Sequence, residues 1–233
     1  MPDIDVVLEC FRQNPPRPQN RQAAIQGVVL QLLSGLGWDV LDRTQVIPQL
    51  RERNYTVDFC LKAGNRQAYL NVKDTIEKME EDEACFMEWA ARADQQLIAV
   101  QTTGLLWWFY LPRLPVVPSQ RWFFEIDIQG GPRDDEHQEA IARCFRMFMQ
   151  RENIEDGYAL AKARKFVEDC PPFSAWHQLC KNPSLVTFQE FMGAMKKATG
   201  VAINIDLLLE SLKQRPHSHP GGPRRSRHAP HLR

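Results

Sequence analysis

Length, composition and charge set the first limits on this chain. Its 233 residues, 43% of them hydrophobic, suffice for one substantial α/β domain with a small appendage and exclude a disordered protein. The formal net charge is zero, but six of the 29 basic residues lie in residues 212–233, which contain no acid. The rest of the chain therefore has 23 basic and 29 acidic residues, a net charge of −6. Strong non-specific DNA binding by this part is not expected, because phosphate contacts need clustered Lys and Arg.

The six cysteines are dispersed and include no CxxC pair, which is typical of free thiols in a reducing, cytoplasmic compartment. Cys170, His177 and Cys180 are close in sequence, but a fourth zinc ligand at suitable spacing is missing. Polar residues and Gly104 interrupt the uncharged run at residues 97–112. This run therefore predicts a strand, a turn and a strand, and no association with a membrane is expected.

The first 50 residues predict two helices and then a strand. Residues 4–12 have the apolar spacing of a short helix, which a proline-rich segment ends. Asn20 can cap a long helix over residues 21–36, whose apolar side chains recur at helical spacing. Residues 39–47 are predicted as the first strand region, with Pro48 restricting its end to a sheet edge or a bend.

Residues 55–75 carry the only constellation of chemically active side chains. They predict two buried strands joined by a polar turn at residues 63–66. Asp58 is the one acid in a buried pattern, and Asn71 and Lys73 share a face of the second strand. If the strands pair through the turn, an acid, an amide and an amine converge at one point. The alternative is an ordinary cross-strand ion pair between Asp58 and Lys73.

This pattern resembles the core of the PD-(D/E)XK nucleases, in which an Asp on one strand and an acid-x-Lys on the next hold a divalent metal. More specifically, the chain is similar to the N-terminal nuclease domain of type I restriction enzyme R subunits and their stand-alone relatives. An early helix of that family ends in Leu-Gly-Trp, matched by Leu36, Gly37 and Trp38. Two later landmarks, Leu-Thr-Asn-Gly and Trp-x-Phe-Tyr, correspond to residues 101–104 (QTTG) and 108–110 (WFY).

The resemblance covers about residues 4–151 and implies both a fold and a site. The fold is a restriction-endonuclease-like α/β domain, a mixed sheet flanked by helices. The matching site residues are Asp58 as the metal ligand, Asn71 at the position of the second acid, and Lys73. Mg²⁺ is the one cofactor implied, and metal-dependent DNA cleavage by a nuclease of a restriction-modification system is the implied activity.

Three positions at which the family has a glutamate carry an amide or a basic residue here. They are Asn71, Gln49 and the lead position of the long helix, where Arg21 or Gln22 stands. Mg²⁺ is usually bound through one or two carboxylates, and an amide oxygen brings no charge. Losing one unit charge about 4 Å from a partner costs roughly 4 kcal/mol at an effective dielectric of 20. The site is expected to keep its outline with reduced metal affinity, and catalysis is expected to be weak or absent.

Two further clusters have a functional and a structural interpretation. Acidic residues crowd the start of a helix predicted over residues 80–93, either as a solvated face or as an acidic surface for a basic partner or a metal. The aromatic run at residues 107–110 could stack nucleic-acid bases, but its pattern favours a buried strand.

The composition changes after residue 152. Residues 153–214 predict three or four short helices, broken by prolines and a glycine, and form a small helical C-terminal appendage without recognisable chemistry. Residues 215–233 are rich in Pro, His, Gly and Arg and predict a disordered tail. The expected organisation is therefore a nuclease-like domain over residues 1–152, a helical module and a tail.

Two functions remain open from the sequence. The first is a restriction-endonuclease-like protein linked to DNA binding or cleavage, with a degraded metal site. The second is a non-catalytic protein-interaction scaffold that retains only the fold. DNA and another protein are thus the candidate partners, and no small-molecule cofactor is expected. A positive cleft around Lys73, with Arg21 and Lys62 converging on it, favours nucleic acid, and a neutral or acidic cleft favours the scaffold.

Overall fold

Six strands form one mixed sheet in the computed structural model, which describes residues 3–93, 97–115, 121–130 and 134–169. In spatial order the strands are β1 (Val46–Glu52), β2 (Tyr55–Ala63), β3 (Arg66–Val72), β4 (Ile98–Thr102), β5 (Leu106–Tyr110) and β6 (Trp122–Asp127). The helices are α1 (Ile4–Gln13), α2 (Arg21–Ala24), α3 (Leu30–Gly35), α4 (Ile76–Ala90), α5 (Asp135–Met149), α6 (Arg151–Glu155) and α7 (Tyr158–Asp169). The predicted class, a mixed α/β sheet flanked by helices, is confirmed. Among these residues no helix is long and apolar enough to cross a membrane.

Only β3 and β4 run parallel, and the other neighbouring strands are antiparallel. A parallel pair needs a long crossover connection, which α4 supplies. The predicted strand pair at residues 55–75 and the strand-turn-strand at residues 97–112 are therefore confirmed as β2–β3 and β4–β5.

The sheet buries apolar side chains on both faces, because successive residues of a strand point to opposite sides. The larger buried cluster includes Leu61 and Leu70 and packs under α1, α3 and α5. The smaller cluster includes Cys60 and Tyr69 together with Phe86 of α4. Helix α4 therefore covers the opposite face of the sheet from α1, α3 and α5.

The helix predicted over residues 21–36 is present and contains a π-helical segment, Ile25–Val29, between α2 and α3. Asn20 caps it by accepting a hydrogen bond from the Ala23 amide at 2.9 Å. At its other end Gly37 has φ +85°, and the Trp38 amide donates to the Leu33 carbonyl at 3.1 Å. This is a Schellman ending, which glycine adopts without strain. The cap and the stop were predicted, whereas the π segment was not.

The first strand is displaced from its predicted position at residues 39–47. Asp42 holds residues 42–45 in a turn, because its carboxylate accepts hydrogen bonds from the Thr44 amide at 2.8 Å and from Gln45 Nε2 at 2.9 Å. The strand begins only at Val46. Pro48 lies within it, which is tolerated because β1 is an edge strand.

The predicted helical module is described only to residue 169. Its first helix, expected from residue 157, is present as α7. Apolar residues of α6 and α7 belong to the larger buried cluster, among them Ile154, Ala163 and Phe166. The domain boundary at residue 152 stays a prediction. The rest of the module, the tail and the Cys170, His177 and Cys180 group lie outside the described residues.

Candidate functional site

Asp58 on β2 is a buried carboxylate with only 2% of its surface exposed. The Arg21 guanidinium forms an ion pair with it through Nη2 and also donates from Nε at 3.3 Å. Gln49 Nε2 donates to the same carboxylate at 2.9 Å, and the Val72 backbone amide donates at 2.7 Å. We call these four residues the Asp58 group. The Arg21 cation balances the negative charge of Asp58, and Gln49 and the Val72 amide are neutral hydrogen-bond donors to it.

Two structural devices bring Arg21 and Gln49 to Asp58. Arg21 is the first residue of α2, and its backbone amide donates to Asp74 Oδ1 at 2.6 Å, which fixes the start of the helix. Gln49 lies opposite Asp58, because the neighbouring residues Pro48 and Leu50 pair with residues 59 and 57 of β2. Gln49 has φ +52°, a strained conformation for a residue with a side chain.

Asp82 on α4 is the centre of a second polar group. Asn71 Nδ2 donates to it at 3.0 Å, and Lys73 Nζ forms an ion pair with it at 2.9 Å. Tyr55 Oη donates to Asp82 and itself accepts from Asn71 Nδ2 at 2.6 Å, while Gln101 Nε2 lies 3.4 Å from the carboxylate. These five residues form the Asp82 group. Burial and the negative charge of Asp82 raise the pKa of Tyr55 far above its ordinary value, so its hydroxyl stays protonated.

The three predicted site residues thus belong to two hydrogen-bonded groups. Asp58 accepts from the backbone of Val72, the residue between Asn71 and Lys73, so the two groups are adjacent. In the described part of the chain, neither Asn71 nor Lys73 donates a hydrogen bond to Asp58. The cation that pairs with Asp58 is Arg21, and Lys73 pairs with Asp82.

Asp82 is the site residue that the sequence pattern does not single out, because it stands among several other acids of one predicted helix. A signal was present: Asp82, Phe86 and Trp89 follow helical spacing, and the last two are buried. The neighbouring Glu83 is also partly buried, which raises its pKa to about 7, although a hydrogen bond with Tyr110 acts in the opposite direction. The other acids of this helix are exposed, as the solvated-face interpretation predicts: Glu77, Glu80, Glu81 and Glu88.

The aromatic run at residues 107–110 forms β5 and confirms the buried-strand interpretation. Trp107, Phe109 and Tyr110 are fully buried. Trp108 is partly buried and donates from Nε1 to Glu125 at 2.8 Å. Three of these four rings are therefore not available to stack on nucleic-acid bases.

The charges around the two groups are paired. Arg21 is paired with Asp58, Lys73 with Asp82, and Lys78 with Asp74. The charges of these three ion pairs cancel, so none of the three cations is left unpaired for a phosphate. Arg21, which was expected to help attract a phosphate, is already bound to an internal carboxylate.

The residues around Asp58 do not fit a bound Mg²⁺ ion. Its carboxylate oxygens accept from three internal donors, and the adjacent guanidinium of Arg21 repels a cation. Within the described ranges, no group of three or more His, Cys, Asp or Glu residues comes together in a way that could hold a metal. Asn71, which the resemblance matches to the second acid of a nuclease, directs its amide nitrogen toward Asp82.

Comparison with known proteins gives no relative: no family model, no curated protein and no solved structure matches this chain.

Proposed function

We propose that this chain is a catalytically inactive protein with a restriction-endonuclease-like fold, which acts by binding a protein partner and not by cleaving DNA. The observation that carries this proposal is the ion pair between Arg21 and Asp58. It lies where the resemblance places the metal ligand of a nuclease.

The departures from the nuclease pattern compensate one another. A buried carboxylate needs a nearby positive charge, which in a nuclease comes from the metal. Here Gln49 stands at a position where the family has a glutamate, and Arg21 is one of the two residues that match another such position. Both donate directly to Asp58. Arg21 thus supplies the positive charge that a metal supplies in a nuclease, and Gln49 adds a neutral donor.

The remaining chemistry of hydrolysis is missing as well. Phosphodiester cleavage by a nuclease of this type needs a metal to activate water and to stabilise the leaving oxygen. Lys73, the residue expected to position the water, is held by Asp82. No step of hydrolysis can be derived from these contacts.

Charge favours a protein partner over DNA. Arg21, Lys73 and Lys78 are each paired with a carboxylate, and residues 1–211 carry a net charge of −6. Paired cations on an acidic body give little of the counterion release that drives binding to a phosphate backbone.

A DNA cleavage and binding assay tests the proposal. Full-length protein is incubated with plasmid DNA and Mg²⁺ or Mn²⁺, with Asp58→Asn as the matched control. No nicking above the level of Asp58→Asn is expected. Binding to a DNA duplex, measured by fluorescence anisotropy at physiological salt, is expected to be no tighter than about 10 μM. Cleavage by the wild type that Asp58→Asn abolishes would overturn the proposal.

The basic residues of the C-terminal segment need their own control. Six Lys and Arg residues lie in residues 212–233 and can contact phosphates on their own. A variant with these six changed to Gln is expected to lose any residual DNA binding. Tight binding that survives this change would place a DNA site on the acidic body and contradict the proposed role.

A further inference from the structure

A cavity of about 510 Å³ is lined by none of the residues of the Asp58 and Asp82 groups. Its walls include Glu52 and Arg53 at the β1–β2 turn, Asn65 at the β2–β3 turn, and Arg92 just beyond α4. The two turns are at opposite ends of β2, so the cavity extends along this strand. Its volume is in the range that small-molecule ligands occupy in proteins.

Two aromatic side chains form a fixed wall of the cavity. The rings of Tyr69 and Trp89 have centroids 4.6 Å apart. Trp89 Nε1 donates to the Glu52 carbonyl at 3.1 Å, and Gln67 Nε2 donates to Tyr69 Oη at 2.9 Å. This wall is held by its own contacts and needs no ligand to take its shape.

The charged groups of the cavity are available for a ligand. Within the described part of the chain, the side chains of Glu52, Arg53, Asn65 and Arg92 form no hydrogen bond or ion pair. Arginine binds phosphate with two parallel N–H donors, and a carboxylate or amide oxygen accepts hydrogen bonds from hydroxyl groups. The cavity thus offers two phosphate-binding cations together with acceptors for a polar ligand body.

Arg53 is one of the two residues that connect β1 to β2, because Glu52 pairs with Tyr55. Its φ of +57° is in the left-handed region. Two-residue hairpin turns use positive φ at their first central position, and glycine adopts it without strain. The turn therefore explains the backbone conformation of Arg53, whose side chain lines the cavity.

We propose that this cavity binds a hydroxyl-bearing organic phosphate at the end near the β1–β2 turn, whose phosphate contacts Arg53 and Arg92 and whose hydroxyl groups contact Glu52. A nucleotide and a sugar phosphate share this chemistry. The site is independent of the Asp58 group, so it stands or fails separately from the proposed loss of catalysis.

Isothermal titration calorimetry on the full-length protein tests the site with three probes: adenosine 5′-monophosphate, glucose 6-phosphate and inorganic phosphate. Saturable binding of at least one organic phosphate is expected. Arg53→Gly and Arg92→Gln are each expected to weaken it by about tenfold or more, because each removes a charge-assisted contact. Arg53→Gly also relieves the left-handed strain, so it should fold at least as well as the wild type.

Arg43→Gln is the matched control, because Arg43 is exposed and does not line the cavity. It should bind as the wild type does. Tighter binding of one organic phosphate than the other identifies the nucleotide or the sugar phosphate as the better ligand. The proposal is overturned if neither binds saturably, if Arg53→Gly and Arg92→Gln bind as the wild type does, or if inorganic phosphate binds as tightly as both.

Discussion

Asp58 shows how a buried charge can be kept without a metal. An isolated carboxylate inside a protein is strongly unfavourable, so its three donors are a condition for burying it. They come from three elements: Arg21 from α2, Gln49 from β1 and Val72 from β3. Arg21 is the only one with a charge, and its side chain is 44% exposed. The stabilisation it provides is therefore partly screened by water.

Replacing Arg21 should measure that stabilisation. Breaking a fully buried pair costs about 3–5 kcal/mol, but the exposure of Arg21 lets water solvate part of Asp58 after the change. We expect Arg21→Ala to lower the free energy of unfolding by about 1–2 kcal/mol in urea denaturation. The control Arg43→Ala removes an exposed cation and should stay within about 0.5 kcal/mol of the wild type. Equal stability of the two variants would show that the pair contributes nothing.

Glu83 gives the fold a dependence on pH. Burial raises its pKa from 4.5 to about 7, and the charge of Glu80 acts in the same direction. Between pH 4.5 and about pH 7, Glu83 keeps its proton in the folded chain and has released it in the unfolded chain. The free energy of unfolding therefore falls as the pH rises through this range. Glu83→Gln removes the penalty of the ionised form. We expect it to raise the free energy of unfolding by about 1–2 kcal/mol at pH 8, after allowing for partial exposure, and to change little at pH 5.

The control for this effect is Glu81→Gln, an exposed acid on the same helix. Its effect should be small and similar at both pH values. If Glu83→Gln gives the same stability change at pH 5 and pH 8, the pKa of Glu83 is not raised by the fold.

At the scale of elements, the contact between α1 and α3 depends on a glycine. A Cβ at Gly35 would lie 3.0 Å from the Cα of Ile4 and 3.1 Å from its amide nitrogen, which are backbone atoms that cannot rotate away. Gly35→Ala should therefore push the helices apart and lower the free energy of unfolding by about 1–3 kcal/mol.

Gly27, in the π segment of the same helix, is the matched control. A Cβ there meets nothing within 4 Å. Gly27→Ala should raise the free energy of unfolding by about 0.5–1 kcal/mol, because alanine loses less backbone entropy on folding. A neutral result for Gly35→Ala in thermal or urea denaturation would contradict the close packing of α1 on α3.

Most elements could be predicted from the sequence because their apolar periodicity is strong. Runs of mostly apolar residues predict β2, β3 and β5, and these residues are buried in the structure. Asn20 predicts the start of α2, which it caps. The displaced first strand and the π segment could not be predicted in this way. The first depends on side-chain hydrogen bonds of Asp42, and the second has no local signal in composition.

At the scale of the whole molecule, the positions of the site residues were more predictable than their partners. The buried pattern of the strand indicates that Asp58 is buried, and it is. It could not indicate which cation reaches Asp58, because that depends on where α2 begins and on the left-handed conformation of Gln49. Asp82 contacts Asn71 and Lys73 because of the orientation in which α4 packs on the sheet, and the order of acids in the sequence does not reveal that orientation.

The described part of the chain combines a mixed α/β fold, two polar groups with paired charges and a separate polar cavity. The paired charges support the proposed function, a protein that binds and does not cleave. In a nuclease the cleft needs an excess of positive charge toward DNA and free carboxylates toward a metal. Here Arg21 pairs with Asp58 and Lys73 pairs with Asp82, so these cations are not free for DNA and these carboxylates are not free for a metal.

Calorimetric titration of Mn²⁺ into the full-length protein tests most directly whether Asp58 is closed to metal. The wild type and Asp58→Asn are both expected to show no saturable binding. Arg21→Glu exchanges the blocking guanidinium for a second carboxylate beside Asp58, so it is expected to gain Mn²⁺ binding and to be stabilised by the ion. Mn²⁺ binding by the wild type that Asp58→Asn abolishes would contradict the central claim and restore Asp58 as a metal ligand.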